Sequence, residues 1–138
     1  MAPQEWNHKI DWFEIPVNDF QRAKIFYETI LGIQMQVFEG VDSTMGGGAY
    51  SMAFFADMKD SISVGGALVK MKDFVPSDKG TLVYLHAGDD LSIALGKVEA
   101  AGGKVLMPKT GIGANNEHGF MAMFTDTEGN RVALHSMN

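Results

Sequence analysis

The sequence predicts an α+β protein that contains two β-α-β-β-β modules in tandem. The first observation is a repeat, because a capped amphipathic helix pattern at residues 19–32 recurs at residues 90–103, an offset of 71 from Asp19 to Asp90. The second is that one strand-like run precedes each helix pattern and several short runs follow it. We therefore expect a single domain over residues 1–138, with module one at 8–72 and module two at 80–137.

Module one begins with a strand-like run at residues 10–17. In the helix pattern that follows, Asp19 can cap the first N–H groups and Gly32 can take the left-handed conformation that ends a helix. The apolar positions of this helix have the i, i+3, i+4, i+7, i+8 spacing of one face: Ala23, Phe26, Tyr27, Ile30 and Leu31. Three further strands are predicted at residues 33–38, 50–56 and 62–70.

Module two repeats this order after a linker at residues 73–80. Its first strand is predicted at residues 81–86, and its helix has one apolar face, made of Leu91, Ala94, Leu95 and Val98. The last two strands, at residues 119–125 and 131–136, are separated by turn residues at 126–130. A strand at residues 104–107 completes the module.

Composition and charge exclude several classes of function. The chain has no cysteine, so disulfides and thiolate metal sites are excluded. Its net charge is -6, and its two arginines, Arg22 and Arg131, form no basic stripe, so we expect no nucleic-acid partner. The first residues carry charges and no apolar run, which predicts neither a signal peptide nor a membrane partner. We expect a cytoplasmic protein.

The order of these motifs resembles the vicinal oxygen chelate superfamily, which includes glyoxalase I, bleomycin-resistance proteins and extradiol dioxygenases. The stretches that carry the resemblance are 12–19, Ala23, 26–27, 31–32, 89–91, 101–103 and 126–131. The resemblance implies a curved, incomplete barrel whose strands enclose a cleft, and a symmetric homodimer. In the enzymes of this superfamily, His, Glu or Gln side chains in the cleft hold a divalent metal ion, which stabilises an oxyanionic state of the substrate.

The resemblance also implies which positions would hold that metal. They fall on Trp12, Val83 and Ala133, with a fourth in residues 61–70, where the sequence has no His, Asp or Glu. Tryptophan, valine and alanine do not coordinate a divalent cation, so we expect no metal cofactor. The alternative is one divalent ion at a displaced site formed by His8, Glu14 and His135.

The predicted cleft suggests two functions. Strand alternation places Trp12, Glu14 and Pro16 toward the cleft, and places His86 toward the helix. We expect a ligand site formed by Trp12, Glu14, Val83, Leu85, Ala133 and His135. The first hypothesis is a metal-free binding protein for an apolar or aromatic small molecule. The alternative is a glyoxalase-like lyase, isomerase or dioxygenase that uses either a divalent metal ion or Glu14 as a general base, whose pKa desolvation would raise.

Overall fold

The computed structural model describes residues 8–41, 48–57, 59 and 64–138. Module one contains β1 (Trp12–Pro16), α1 (Phe20–Leu31), β2 (Gln36–Val41), β3 (Ala49–Phe54) and β4 (Gly65–Lys70). Module two contains β5 (Tyr84–His86), α2 (Ser92–Leu95), β6 (Lys104–Gly111), β7 (Phe120–Thr125) and β8 (Arg131–Ser136). None of the helices in this part of the chain has the length and apolar character needed to cross a membrane.

The two modules have the same strand topology. Module one forms a four-stranded sheet in the order β1-β4-β3-β2, and module two forms a second one in the order β5-β8-β7-β6. In each sheet the first strand pairs in parallel with the last, and the remaining pairs are antiparallel. The predicted α+β class and the tandem β-α-β-β-β modules are confirmed. The two sheets are open and do not close into one barrel.

Helix α1 begins and ends as its sequence predicts. The Asp19 side chain accepts a hydrogen bond from the backbone N–H of Arg22 at 3.1 Å, and Gly32 closes the helix with a φ of 65°. An L residue other than glycine would be strained at this φ. The face that packs into the core is Phe20, Ala23, Phe26, Tyr27 and Ile30, which includes four of the five predicted positions.

Helix α2 is shorter than its sequence pattern predicts. The pattern covers residues 90–103, but the α-helix spans only Ser92–Leu95 and turns follow it. The N–H groups of Lys97 and Val98 bond to carbonyls three residues earlier, as in a tighter helix. Gly96 lies at this change, and glycine is a poor helix former. The predicted burial still holds for Leu91, Ala94 and Val98, which are 0 to 4% exposed.

One cluster of buried residues joins the two modules. Phe124 of β7 is fully buried and lies 5.7 Å from the Phe26 ring and 6.3 Å from the Tyr27 ring, measured between centroids. Both of these partners belong to α1. The helix of module one therefore packs on the sheet of module two, and this contact fixes the relative position of the modules.

Residues 126–130, here called the junction turn, connect the modules through buried hydrogen bonds. The Asp126 carboxylate accepts hydrogen bonds from the Tyr27 hydroxyl at 2.6 Å and from the Asn130 N–H at 2.9 Å. The Asn130 amide donates to the Pro16 carbonyl at 2.8 Å. Burial raises the pKa of the Tyr27 hydroxyl well above its usual range, and the charge of Asp126 raises it further. Tyr27 therefore stays protonated as a donor.

Glu128 of the junction turn caps the helix of the other module. Its side chain is fully covered and accepts from the backbone N–H groups of Asn18 and Asp19, at 2.9 and 2.7 Å. It also pairs with the Arg22 guanidinium at 2.8 Å. Burial alone would raise the pKa of the Glu128 carboxyl, but the hydrogen bonds from Arg22 and Asp19 outweigh it and hold that pKa below its usual value.

Glu128→Gln is expected to lower the free energy of unfolding by about 1–2 kcal/mol at pH 7, because a neutral amide replaces a charged acceptor. The folded pKa of Glu128 lies below its ordinary value of 4.5. The stabilisation is therefore present above that value and is lost as the pH falls through the folded pKa. In urea unfolding, the free energies of the variant and wild type should differ clearly at pH 7 and only slightly at pH 3. The exposed carboxylate of Glu39 provides the control, Glu39→Gln, and an equal effect of the two variants would contradict the prediction.

Candidate functional site

A groove of about 1160 Å³ lies between the two modules. Its sides are β1 and β5, which are the terminal strands of their sheets. Side chains of α1 and α2, such as Ile30 and Ala94, form its floor. Because the groove follows two strand edges, residues from both faces of each strand reach it. Most of its lining is apolar, as in pockets that bind small organic molecules.

Trp12 forms the aromatic wall of the groove. Its indole packs edge-on against Phe54, with ring centroids 5.9 Å apart, and covers Gly65, where a Cβ would lie 2.9 Å from the ring. A glycine at this position lets the indole lie against the backbone of the neighbouring strand. Trp12 remains 36% exposed, and its Nε1–H donates to the Glu14 carboxylate at 3.3 Å. The indole therefore presents a flat apolar surface, with its polar edge already occupied.

The charged side chains along the groove are mostly acidic. Glu14, Asp89 and Asp90 line it, whereas Lys97 is the cation in its lining. A hydrogen bond from the Ser92 N–H, with further ones from Lys109 and the Ser92 side chain, lowers the pKa of Asp90 to about 2. Asp90 is therefore ionised at neutral pH. Its carboxylate is paired with Lys109 at 3.0 Å, which leaves Glu14 and Asp89 as the other acids of the lining.

The structure confirms the predicted faces of β1 but reverses those of β5. Ile15 and Leu85 are both buried, at 3% and 6% exposure, so the strands match at an offset of 70, whereas the buried helix residues Ala23 and Ala94 match at 71. The connection from the buried strand residue to the buried helix residue is therefore one residue longer in module two. Consequently Leu85 faces the core, and the prediction that His86 faces the helix is wrong.

Tyr84 and His86 occupy the sheet face that had been expected for Val83 and Leu85. Tyr84 pairs with Ala133 and His86 with His135 in the parallel register of β5 and β8, and paired residues in parallel strands share a face. The Tyr84 hydroxyl reaches the sulfur of Met121 at 3.9 Å on the same face. The sequence contains a signal for this orientation. Apolar residues, Val83, Leu85 and Ala87, alternate with residues that carry a polar tip, Tyr84 and His86.

The predicted ligand residues separate into two groups. Trp12, Glu14, Val83 and Leu85 line the groove, whereas Ala133 and His135 do not. Ala133 is fully buried in β8, and the Nε2 of His135 bonds to the His118 carbonyl at 2.9 Å. The Glu14 side chain is exposed, so it does not have the desolvated surroundings that the sequence predicts for it. Its role as a general base stays a prediction.

The side chains do not fit the metal site of the superfamily's enzymes. Trp12 and Ala133 carry no donor atom for a divalent cation, and neither does Leu82, which the corrected offset puts in place of Val83. The residues of β4 on the face of Trp12 and Glu14 are Gly65, Ala67 and Val69. Within residues 8–41, 48–57, 59 and 64–138, no three His, Asp or Glu side chains come together to hold an ion. His8, Glu14 and His135 are thus not assembled in this chain.

Comparisons with known proteins agree with this fold. The model of the glyoxalase/bleomycin resistance protein/dioxygenase superfamily matches residues 9–134, whereas no curated protein matches the chain. The antibiotic-binding protein TnmS3 from Streptomyces sp. CB03234 has 21% identity and a TM-score of 0.55, over 98% of this chain and 100% of that one. A glyoxalase/bleomycin resistance protein from Albidiferax ferrireducens has 16% identity and a TM-score of 0.59, over 94% and 98%.

Glyoxalase I from Zea mays has 20% identity and a TM-score of 0.61, over 91% of this chain. This chain spans only 45% of the maize enzyme. At these identities the likeness to solved structures concerns the fold, whereas the family model covers nearly the whole sequence. The resemblance seen in the sequence is confirmed: the chain belongs to the glyoxalase/bleomycin resistance protein/dioxygenase superfamily.

Proposed function

We propose that this protein binds a small apolar or aromatic molecule in the groove between its modules, without a metal ion. The observation that carries the proposal is the exposed indole of Trp12 in a groove of about 1160 Å³ with a mostly apolar lining. An aromatic wall with a few polar groups is typical of sites that bind flat organic ligands. The absence of donor atoms at the family's ligand positions favours binding over metal-dependent catalysis.

The fold of an antibiotic-binding protein supports the same proposal, because TnmS3 matches this chain over its full length. Fold similarity alone does not transfer a ligand, so the proposal extends only to the class of molecule. A homodimer, expected from the family resemblance, is also proposed. Light scattering coupled to size-exclusion chromatography would test it, and a mass of 15.0 kDa would contradict it.

Trp12→Ala is expected to weaken binding of an aromatic probe about 10-fold or more, because it removes the main aromatic contact of the groove. The probe is 2-naphthamide, which is neutral and flat. Titration of the ¹⁵N-labelled protein, followed by two-dimensional NMR, gives the Kd and reports the Trp12 indole N–H directly. The variant Trp6→Phe identifies that resonance, since the chain has two tryptophans.

Phe38→Ala is the matched control. Phe38 is an aromatic residue that is 50% exposed on β2 and does not line the groove. We expect this variant to change the Kd less than about twofold, as for a surface site without ligand contact. Equal affinity of Trp12→Ala and wild type, with a native spectrum for the variant, would rule out the groove as the site.

A further inference from the structure

A second, smaller pocket of about 230 Å³ adjoins the groove. It lies between the end of β1, the linker that follows β4 and the start of β8. Glu14, Thr81 and Val83 line both spaces, so a molecule in the groove can extend past these residues into the pocket. The remaining lining includes two cations, Lys79 and Arg131.

Arg131 lacks an acceptor for part of its guanidinium. Among the described residues, the one buried side-chain polar atom without a hydrogen-bond partner is the Nε of Arg131. A guanidinium has five N–H donors and no acceptor, so only an acceptor from elsewhere can satisfy it. A buried donor without a partner is unfavourable, and natural proteins rarely leave one without a reason.

The nearby carboxylates and amides are already engaged. Asp78 pairs with Lys79 at 3.1 Å, and Lys79 contributes most to lowering the pKa of Asp78, with a smaller contribution from Arg131. The Asn130 side chain is held by the Ser77 N–H at 3.1 Å and by the Pro16 carbonyl at 2.8 Å. Neither group accepts a hydrogen bond from the Arg131 Nε.

The other arginine shows what Arg131 lacks. The Nε of Arg22 donates to the Glu128 carboxylate at 2.8 Å, which is the usual short, charge-assisted geometry. No carboxylate of the described part of the chain forms an ion pair with Arg131. Because the Nε is buried, a ligand would meet the terminal N–H groups of the guanidinium, whose planar fork is complementary to an anionic group such as a carboxylate.

We propose that Arg131 binds the carboxylate of a ligand whose aromatic body lies in the groove. The natural ligand is therefore an aromatic carboxylic acid. This inference rests on the proposed function, since it names the ligand class of the same site. Lys79 adds positive charge at the pocket, whereas Glu14, the acid of its lining, opposes an anion. Because Glu14 repels anions, a ligand with a single negative charge should bind in this pocket better than one with two.

The test compares two probes of nearly equal shape, 2-naphthoate and neutral 2-naphthamide, by the NMR titration described above. Wild type is expected to bind naphthoate about 5- to 20-fold more tightly than naphthamide, as for a partly solvated charged hydrogen bond. Arg131→Met should abolish this preference and change the Kd for naphthamide less than about twofold. Arg131→Lys, which keeps the charge but loses the fork, should retain only part of it.

Two further variants show whether the preference for naphthoate comes from charges at the pocket or from the net charge of the protein. Arg22→Met makes the same change in net charge at a residue that does not line the pocket, and it should keep the preference for naphthoate. Glu14→Gln should strengthen naphthoate binding about two- to threefold, because it removes the opposing charge. The spectrum of each variant shows whether it is folded.

The outcomes distinguish this inference from the proposed function. Equal affinity of wild type for the two probes, or a preference that survives in Arg131→Met, would overturn the carboxylate site, whereas groove binding would stand. Failure of both probes to bind would overturn both proposals.

Discussion

Asp126→Ala is expected to lower the free energy of unfolding by about 3–5 kcal/mol, the largest effect predicted for a polar residue of this protein. Asp126 is 4% exposed and accepts hydrogen bonds from four donors. Alanine would leave the Tyr27 hydroxyl and the Asn130 N–H buried without an acceptor. These groups connect α1 to the junction turn, so the loss affects the contact between the modules.

Urea unfolding followed by circular dichroism measures this effect, with Tyr27→Phe as the partner variant. Tyr27→Phe removes only one of the donors and is expected to cost about 1–2 kcal/mol. The control is Asp78→Ala, because the side chain of Asp78 is 64% exposed and its ion pair with Lys79 lies at the surface. A loss of less than about 1 kcal/mol in Asp126→Ala would mean that the junction turn does not stabilise the fold.

Leu85→Ala is expected to lower the free energy of unfolding by about 2–4 kcal/mol, whereas His86→Ala should change it by less than about 0.5 kcal/mol. Leu85 is 6% exposed and pairs with Leu134, which is fully buried, so truncation leaves a cavity in the core. His86 is exposed on the opposite face of the strand. The two variants together test whether β5 matches β1 at an offset of 70, as in the structure, or at the offset of 71 that the sequence repeat predicts.

The same unfolding experiment decides between the registers. If the sequence repeat applied to the strand, His86 would face the helix and its truncation would be the more harmful. A larger effect for His86→Ala than for Leu85→Ala would therefore restore the original register. It would also return Val83 and Leu85 to the face of Trp12 and Glu14, and the groove would need a new description.

The sequence alone determined the features that depend on neighbouring residues. The cap by Asp19 and the stop at Gly32 were predictable because each acts within one helical turn. The buried faces of both helices followed from apolar periodicity, and this held for Leu91 and Val98 even where the α-helix itself is short. The order of strands and helices was enough to indicate the family.

Only the tertiary structure decided how the modules meet. The helix repeat did not reveal that the connection from the buried strand residue to the buried helix residue is one residue longer in module two, because a loop can absorb a residue without changing either pattern. Glu128 caps α1 from more than 100 positions away in sequence (|i−j| = 109 to Asp19), and no local signal marks such a pair. The groove and the unpaired Nε of Arg131 likewise exist only where separate segments are packed together, because burial and hydrogen bonding between them depend on the folded chain.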